Sequence, residues 1–137
     1  MKTILMLEHD DDDRYITQAV FDEHNYQIKL EFVSNGDDLF AYLKANENNR
    51  SKLPSLILLN YYAFPDNAVE ILRKLKHDAK FGYIPTVVLS GTVNEKVLRE
   101  CYTEGANSFI QKPDNETETN AKIESFVNYW FNTVELP

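Results

Sequence analysis

Pro54-Ser55-Leu56-Ile57-Leu58-Leu59-Asn60-Tyr61-Tyr62-Ala63-Phe64 is the stretch whose reading decides the fold. Four consecutive apolar residues, Leu56 to Leu59, run into the polar Asn60. A run of this length, opened by proline and closed by an amide, reads as a strand buried on both faces, as in a parallel sheet covered by helices. In open parallel sheets, ligands and chemistry gather outside the carboxyl ends of the strands. Asn60 stands at such an end.

Working outward, the elements on either side alternate between strand and helix. Upstream, Thr3 to Leu7 is a short apolar strand, and the acidic run Asp10 to Asp13 follows it. From Asp12 or Asp13, either of which suits a helix N-cap, Ile16, Ala19, Val20 and Phe21 recur at helical spacing up to about His24. Ile28, Leu30, Phe32 and Val33 give a second strand, Ser34-Asn35-Gly36-Asp37 supplies turn chemistry, and Leu39, Phe40 and Leu43 mark a second helix. Downstream, a loop through Pro65 leads to a third helix with Val69, Leu72 and Leu75 on one stripe. Ile84 to Ser90 is a fourth strand, a helix with Val97, Leu98 and Cys101 stops at Gly105, and Asn107 to Gln111 is a brief fifth strand. The last helix, about Glu116 to Thr133, places Ile123, Phe126, Val127, Trp130 and Phe131 on one wide apolar face. Five strands alternating with five helices over short connections imply an α/β domain, a doubly wound parallel sheet with helices on both faces.

Length and composition bound the rest. The 137 residues suffice for one domain with a sizeable core, so residues 1–137 are expected to be a single domain with no output domain attached. The 22 acidic against 14 basic residues leave a formal charge of −8, with no Lys/Arg cluster, which argues against a nucleic-acid surface. The one cysteine, Cys101, has no partner for an internal disulfide, and no apolar run approaches the roughly 18 residues of a membrane span, so a cytoplasmic protein is expected. The only glycines, Gly36, Gly82, Gly91 and Gly105, fit neither a dinucleotide-binding nor a phosphate-loop pattern. No Ser, His, Asp set has triad context, and an enzyme or small-ligand binder on this fold is a remote alternative.

The strand ends nominate a site. Glu8, His9 and Asp10 follow the first strand, Asn60 ends the third, Ser90 the fourth, and Lys112 follows the fifth. These ends converge on one crevice in a doubly wound sheet. Leu7-Glu8-His9-Asp10-Asp11-Asp12-Asp13, Leu56 to Asn60, Pro85 to Ser90, and Gly105-Ala106-Asn107-Ser108-Phe109-Ile110-Gln111-Lys112-Pro113, in this order, resemble a response-regulator receiver domain over nearly the whole chain. The resemblance implies the CheY-like, flavodoxin-like strand order 2-1-3-4-5. It also implies a two-component phosphorelay switch, in which an aspartate ending the third strand accepts a phosphoryl group from a histidine kinase. Magnesium would be held by acids after the first strand, the lysine would pair with the product, and a strand-four hydroxyl would draw in a strand-five aromatic. Ser90, Phe109 and Lys112 match the last three positions.

The departures fall on the chemistry. Asn60 occupies the phosphoacceptor position, and an amide forms no acyl phosphate. His9 replaces one of the paired acids, where a hard cation wants oxygen. The metal is left to Glu8 and Asp10, so no cofactor is expected. Asn60 also reads as a hydrogen-bonded amide that holds the loop, and the aspartate run as a helix start favoured by the macrodipole. Lys112, given no charge by Asn60, is expected to pair with the acids after strand one. Tyr61, Tyr62 and Phe64 cover the crevice mouth or form an aromatic patch. The function expected is a stand-alone, non-enzymatic receiver-like domain not phosphorylated at the usual site. It would act through protein contacts, with a histidine kinase or output protein as partner, on the fourth helix, fifth strand and fifth helix. The alternative keeps the chemistry and moves it to a neighbouring carboxylate such as Asp10.

Overall fold

Side chains alternate across a strand, so a strand apolar at every position needs cover on both sides. The computed structural model, which describes residues 1–137, provides it. The elements are β1 (Lys2–Leu7), α1 (Asp11–Glu23), β2 (Ile28–Val33), α2 (Gly36–Ala45), β3 (Leu56–Asn60), α3 (Ala68–Lys76), β4 (Thr86–Ser90), α4 (Glu95–Thr103), β5 (Ser108–Gln111) and α5 (Glu116–Asn132). The five strands form one sheet in the order β2-β1-β3-β4-β5. All four pairings are parallel, with Leu7 beside Val33 and Leu59, Asn60 beside Leu89, and Ser90 beside Gln111. This is the doubly wound sheet expected from the alternation of elements, in the flavodoxin-like strand order that the resemblance implies.

The alternation within each strand divides the core in two. Leu5, Leu7, Ile57, Leu59 and Val88 face Leu39, Leu43, Ile71, Leu72, Leu75 and Cys101, which come from α2, α3 and α4. Ile4, Met6, Leu56, Leu58 and Val87 face Phe21 of α1 and Val127 of α5. The first layer holds 18 buried residues and the second 9, so the α1/α5 side is the thinner half. The wide apolar face expected of α5 is only partly used. Val127 alone is buried, while Ile123, Phe126, Trp130 and Phe131 lie against the layer half-covered.

Each helix starts on an Asp or Asn whose side chain accepts from the backbone N–H three residues on: Asp10, Asn35, Asn67, Asn94 and Asn115. The cap of α1 is Asp10 rather than Asp12 or Asp13, because Asp10 is the residue with extended backbone and the next three are already helical. Since every helix follows a strand, all five caps lie at the carboxyl end of the sheet, beside the crevice.

Between β3 and α3 the chain makes an unexpected two-residue ribbon. Tyr62–Ala63 pairs antiparallel with Asp66–Asn67 around a cis Phe64–Pro65 peptide. Gly105 stops α4 at φ +108, and a Cβ there would lie 2.7 Å from Cγ of Lys76. Gly105→Ala is expected to cost about 1–3 kcal/mol, as urea denaturation would measure. Removing the Lys76 side chain in the same background recovers only the steric part. No helix is long and apolar enough to cross a membrane.

Candidate functional site

The strand order reverses between β1 and β3, and the crevice opens at that point. Ladder bonds continue one residue past the strands and fix the site's walls. Glu8 N donates to Val33 O at 2.9 Å, Tyr61 N to Leu89 O at 2.8 Å, and Lys112 N to Ser90 O at 2.7 Å. Glu8, Asn60, Ser90 and Lys112 are therefore placed by backbone, not by loop packing.

Glu8 is 2% exposed, and its Oε1 accepts from Lys112 Nζ at 3.1 Å. Its Oε2 accepts from Asp10 N at 3.3 Å. The backbone oxygen of Glu8 takes the Arg14 guanidinium, which also donates to Ser34 Oγ at 2.9 Å and lies over the Phe32 ring. A second acid reaches the lysine: Asp13 Oδ2 lies 3.7 Å from Lys112 Nζ. Partial burial raises the Asp13 carboxyl above its usual value, more than the neighbouring Lys112 lowers it, and the charges of Glu8 and Asp10 add to the rise. Lys112 is thus the centre of a small charge cluster that closes the acid side of the crevice.

Asn60 is buried, and its Nδ2 donates to Leu7 O at 2.8 Å. The contact needs a donor, which an ionised carboxylate lacks. A carboxylate in the same place would set oxygen against oxygen in a buried spot, with a desolvation cost of about 1–3 kcal/mol. Ser90 is buried too, and its hydroxyl turns onto its own loop, donating to Thr92 O at 2.7 Å and accepting from Thr92 N at 3.3 Å. Phe109 is half-buried against the thicker core layer, and its N–H donates to Tyr102 Oη at 3.2 Å.

His9 lies apart from these groups. Its side chain is 65% exposed, and Nδ1 stays 4.0 Å from Glu8 Oε2. The Asp10 carboxylate accepts from Asp13 N at 2.9 Å as the cap of α1, which occupies it structurally. A divalent cation of the magnesium type wants several oxygen ligands about an open site. Here one buried carboxylate already pairs with an ammonium, Asp10 is engaged as a cap, and Asn60 turns its N–H₂ to Leu7. No three acidic, His or Cys side chains converge as a ligand set. The residues present do not fit the metal that the receiver resemblance implies, and no chemistry is routed through it below.

The sequence pattern marks Asp13 only as a candidate cap and not as a crevice residue, and it does not single out Arg14. The signal available for Asp13 was its place three residues after the capping Asp10. At the mouth, Tyr62 and Phe64 are 67% and 87% exposed, and Tyr61 packs inward with its ring edge-on to Tyr62. Burial pushes the Cys101 thiol up to about 11, which keeps it protonated and inert.

Comparison with known proteins places this geometry. No protein-family model matches the chain. It is 27% identical to the response regulator Rcp1 of a Synechocystis species over 137 residues, covering 99% of this chain and 93% of that protein. It is 24% identical to a probable methanogenesis regulatory protein, FilR2, of Methanothrix harundinacea over 127 residues, covering 93% and 82% of the two. Among solved structures, the response regulator RPA3017 of red-light signalling in R. palustris superposes with a TM-score of 0.90 at 27% identity, covering 100% of this chain and 99% of that one. The phosphorylated cyanobacterial phytochrome response regulator RcpA does so at 0.88 and 28%, covering 99% and 98%. In fold, and in sequence along essentially its whole length, the chain is similar to response-regulator receiver domains.

Proposed function

We propose that this chain is a receiver-type signalling domain that takes up no phosphoryl group at position 60 and acts through protein contacts. The observation that carries the reading is the buried Asn60 Nδ2 to Leu7 O bond, which holds the acceptor position in an arrangement that an ionised carboxylate does not reproduce. Three further features agree with it. The lysine that would meet a phosphoryl group is engaged by Glu8. The hydroxyl of Ser90 is bound to Thr92. His9 is turned out to solvent. A manganese-bound form of Rcp1 and the phosphorylated RcpA are properties of those proteins. In the present chain the charge balance of the crevice is met internally, so neither metal nor phosphoryl group is required to hold it together.

The partner in this reading is a histidine kinase or an output protein that docks on α4, β5 and α5. Tyr102, 49% exposed on α4 and bonded to the Phe109 backbone, gives that face an aromatic anchor. Catalysis by the chain itself forms no part of the proposal. Incubation with acetyl phosphate and magnesium leaves the intact mass unchanged; an added phosphoryl group mapped to Asp10, Asp13 or any other crevice residue would sink the reading.

A further inference from the structure

The thinner core layer is incomplete. Between α1 and α5 lies a cleft of about 580 Å³, within the range of small-molecule sites. Its floor is the sheet itself, one side chain from each of four strands: Met6, Leu58, Leu89 and Ile110. Leu89 and Ile110 remain half-buried, although β4 is an interior strand. The walls are Ile16 and Val20 on α1 and Ile123 and Phe126 on α5. The gap has a local cause, because Ala19, Thr119 and Asn120 line it where larger apolar side chains would close it. Ile16 is consequently 48% exposed, an apolar side chain facing an apolar hollow that it does not fill.

The charged groups at the cleft are mostly acidic. Asp13, Glu23, Asp114 and Glu116 line it, and Glu23, Asp114 and Glu116 have no ion-pair partner. Asp13 has only the 3.7 Å approach of Lys112. Of the two lysines at the cleft, Lys112 pairs with Glu8 at 3.1 Å, and Lys122 donates to the backbone Gln111 O at 2.6 Å, a neutral acceptor that offsets none of its charge. An occupant therefore meets apolar carbon on the floor and a charged lining in which five carboxylates, Glu8 included, outnumber two ammonium groups.

We propose that the α1/α5 cleft binds a small amphipathic cation, its apolar body seated on Leu58, Leu89 and Ile110 and its ammonium or amidinium group among Asp13, Asp114 and Glu116. The inference stands apart from the reading of position 60, since the cleft exists whatever that position does. It also supplies a route to the crevice, because Glu8 and Lys112, which stand at the crevice, also line the cleft. A cation drawing on Asp13 removes one of the two acids that hold Lys112, so an occupied cleft changes the charge cluster of the crevice.

The test is an amide-resolved titration of the ¹⁵N-labelled full chain with naphthalen-1-ylmethylammonium and, separately, with naphthalene-1-sulfonate. The ammonium probe is expected to shift the amides of Leu89, Ile110 and Ile123 and to bind at least about threefold more tightly than the sulfonate. Ala19→Trp fills the cleft and abolishes these shifts. Asp13→Asn removes most of the preference for the cation, and it keeps the test standing if tryptophan at position 19 is not tolerated. The proposal is overturned if neither probe perturbs these amides at about 5 mM, if the sulfonate binds equally well, or if the shifts fall outside the cleft. Concentration-dependent broadening of the same amides without probe also overturns it, since a second copy of the chain would then be the occupant.

Discussion

The double variant His9→Asp, Asn60→Asp takes up one phosphoryl group from acetyl phosphate and magnesium, where the unaltered chain takes up none. The reasoning is local. Position 60 ends β3 beside Leu89 of β4, fixed in register by the ladder, so an aspartate there starts from a backbone already placed. Position 9 is 65% exposed, so a carboxylate there has room to turn toward Glu8. Lys112 and Ser90 keep their places through the Lys112 N to Ser90 O bond. In the receiver scheme these changes supply a second acid for the cation and the nucleophile itself. The single variant Asn60→Asp sharpens the point. It loses the Leu7 contact and sets a carboxylate against that carbonyl, which lowers stability by about 1–3 kcal/mol. Magnesium then raises the melting temperature of the double variant and leaves that of the unaltered chain where it was. A folded double variant that takes up no phosphoryl group would mean that more than these two residues separates the crevice from a working one.

Lys112→Met is expected to be the most destabilising single change at the crevice, by about 2–4 kcal/mol in urea denaturation, because it strands Glu8 as a buried and unpaired carboxylate. Glu8 is 2% exposed, and its remaining partner is a single backbone N–H at 3.3 Å. Lysine is about one-third exposed, which places the effect below the upper end of the range for fully buried pairs. Glu8→Gln in the Lys112→Met background recovers most of the loss, since the amide still accepts from Asp10 N and carries no charge. Equal stability of Lys112→Met and the unaltered chain would show that solvent, not the lysine, compensates Glu8.

The fold was legible because strands β3 and β4 carry apolar side chains at successive positions, which only a sheet covered on both faces accommodates, and because Asn35, Gly105 and the acidic start of α1 punctuate the helices. The convergence of Glu8, Asn60, Ser90 and Lys112 follows from topology alone once the strands are parallel. What the residues do on arrival was less legible. Four aspartates in a row look alike, and only the extended backbone of Asp10 makes it the cap and leaves Asp13 to face Lys112. The direction of the Ser90 hydroxyl depends on Thr92, two residues beyond the strand. The ribbon around Phe64–Pro65 is made by pairing between Tyr62–Ala63 and Asp66–Asn67, segments too short to carry a period. The cleft beside α5 escaped for a different reason. Helical spacing finds the apolar face of a helix, but whether that face is covered depends on the residues opposite, here Ala19, and on Thr119 and Asn120 one turn away.

In the proposed function the crevice is held closed by its own groups, Asn60 on Leu7 and Lys112 on Glu8, and does not answer to a phosphoryl group. Beryllium fluoride with magnesium mimics a phosphorylated aspartate without requiring transfer, so an amide-resolved spectrum in its presence tests the claim most directly. The expected result is an unchanged spectrum at Asn60, Ser90, Phe109 and Lys112, with the double variant giving a second, slowly exchanging set of peaks at positions 90, 109 and 112. A new set of peaks at Ser90 and Phe109 in the unaltered chain would contradict the account.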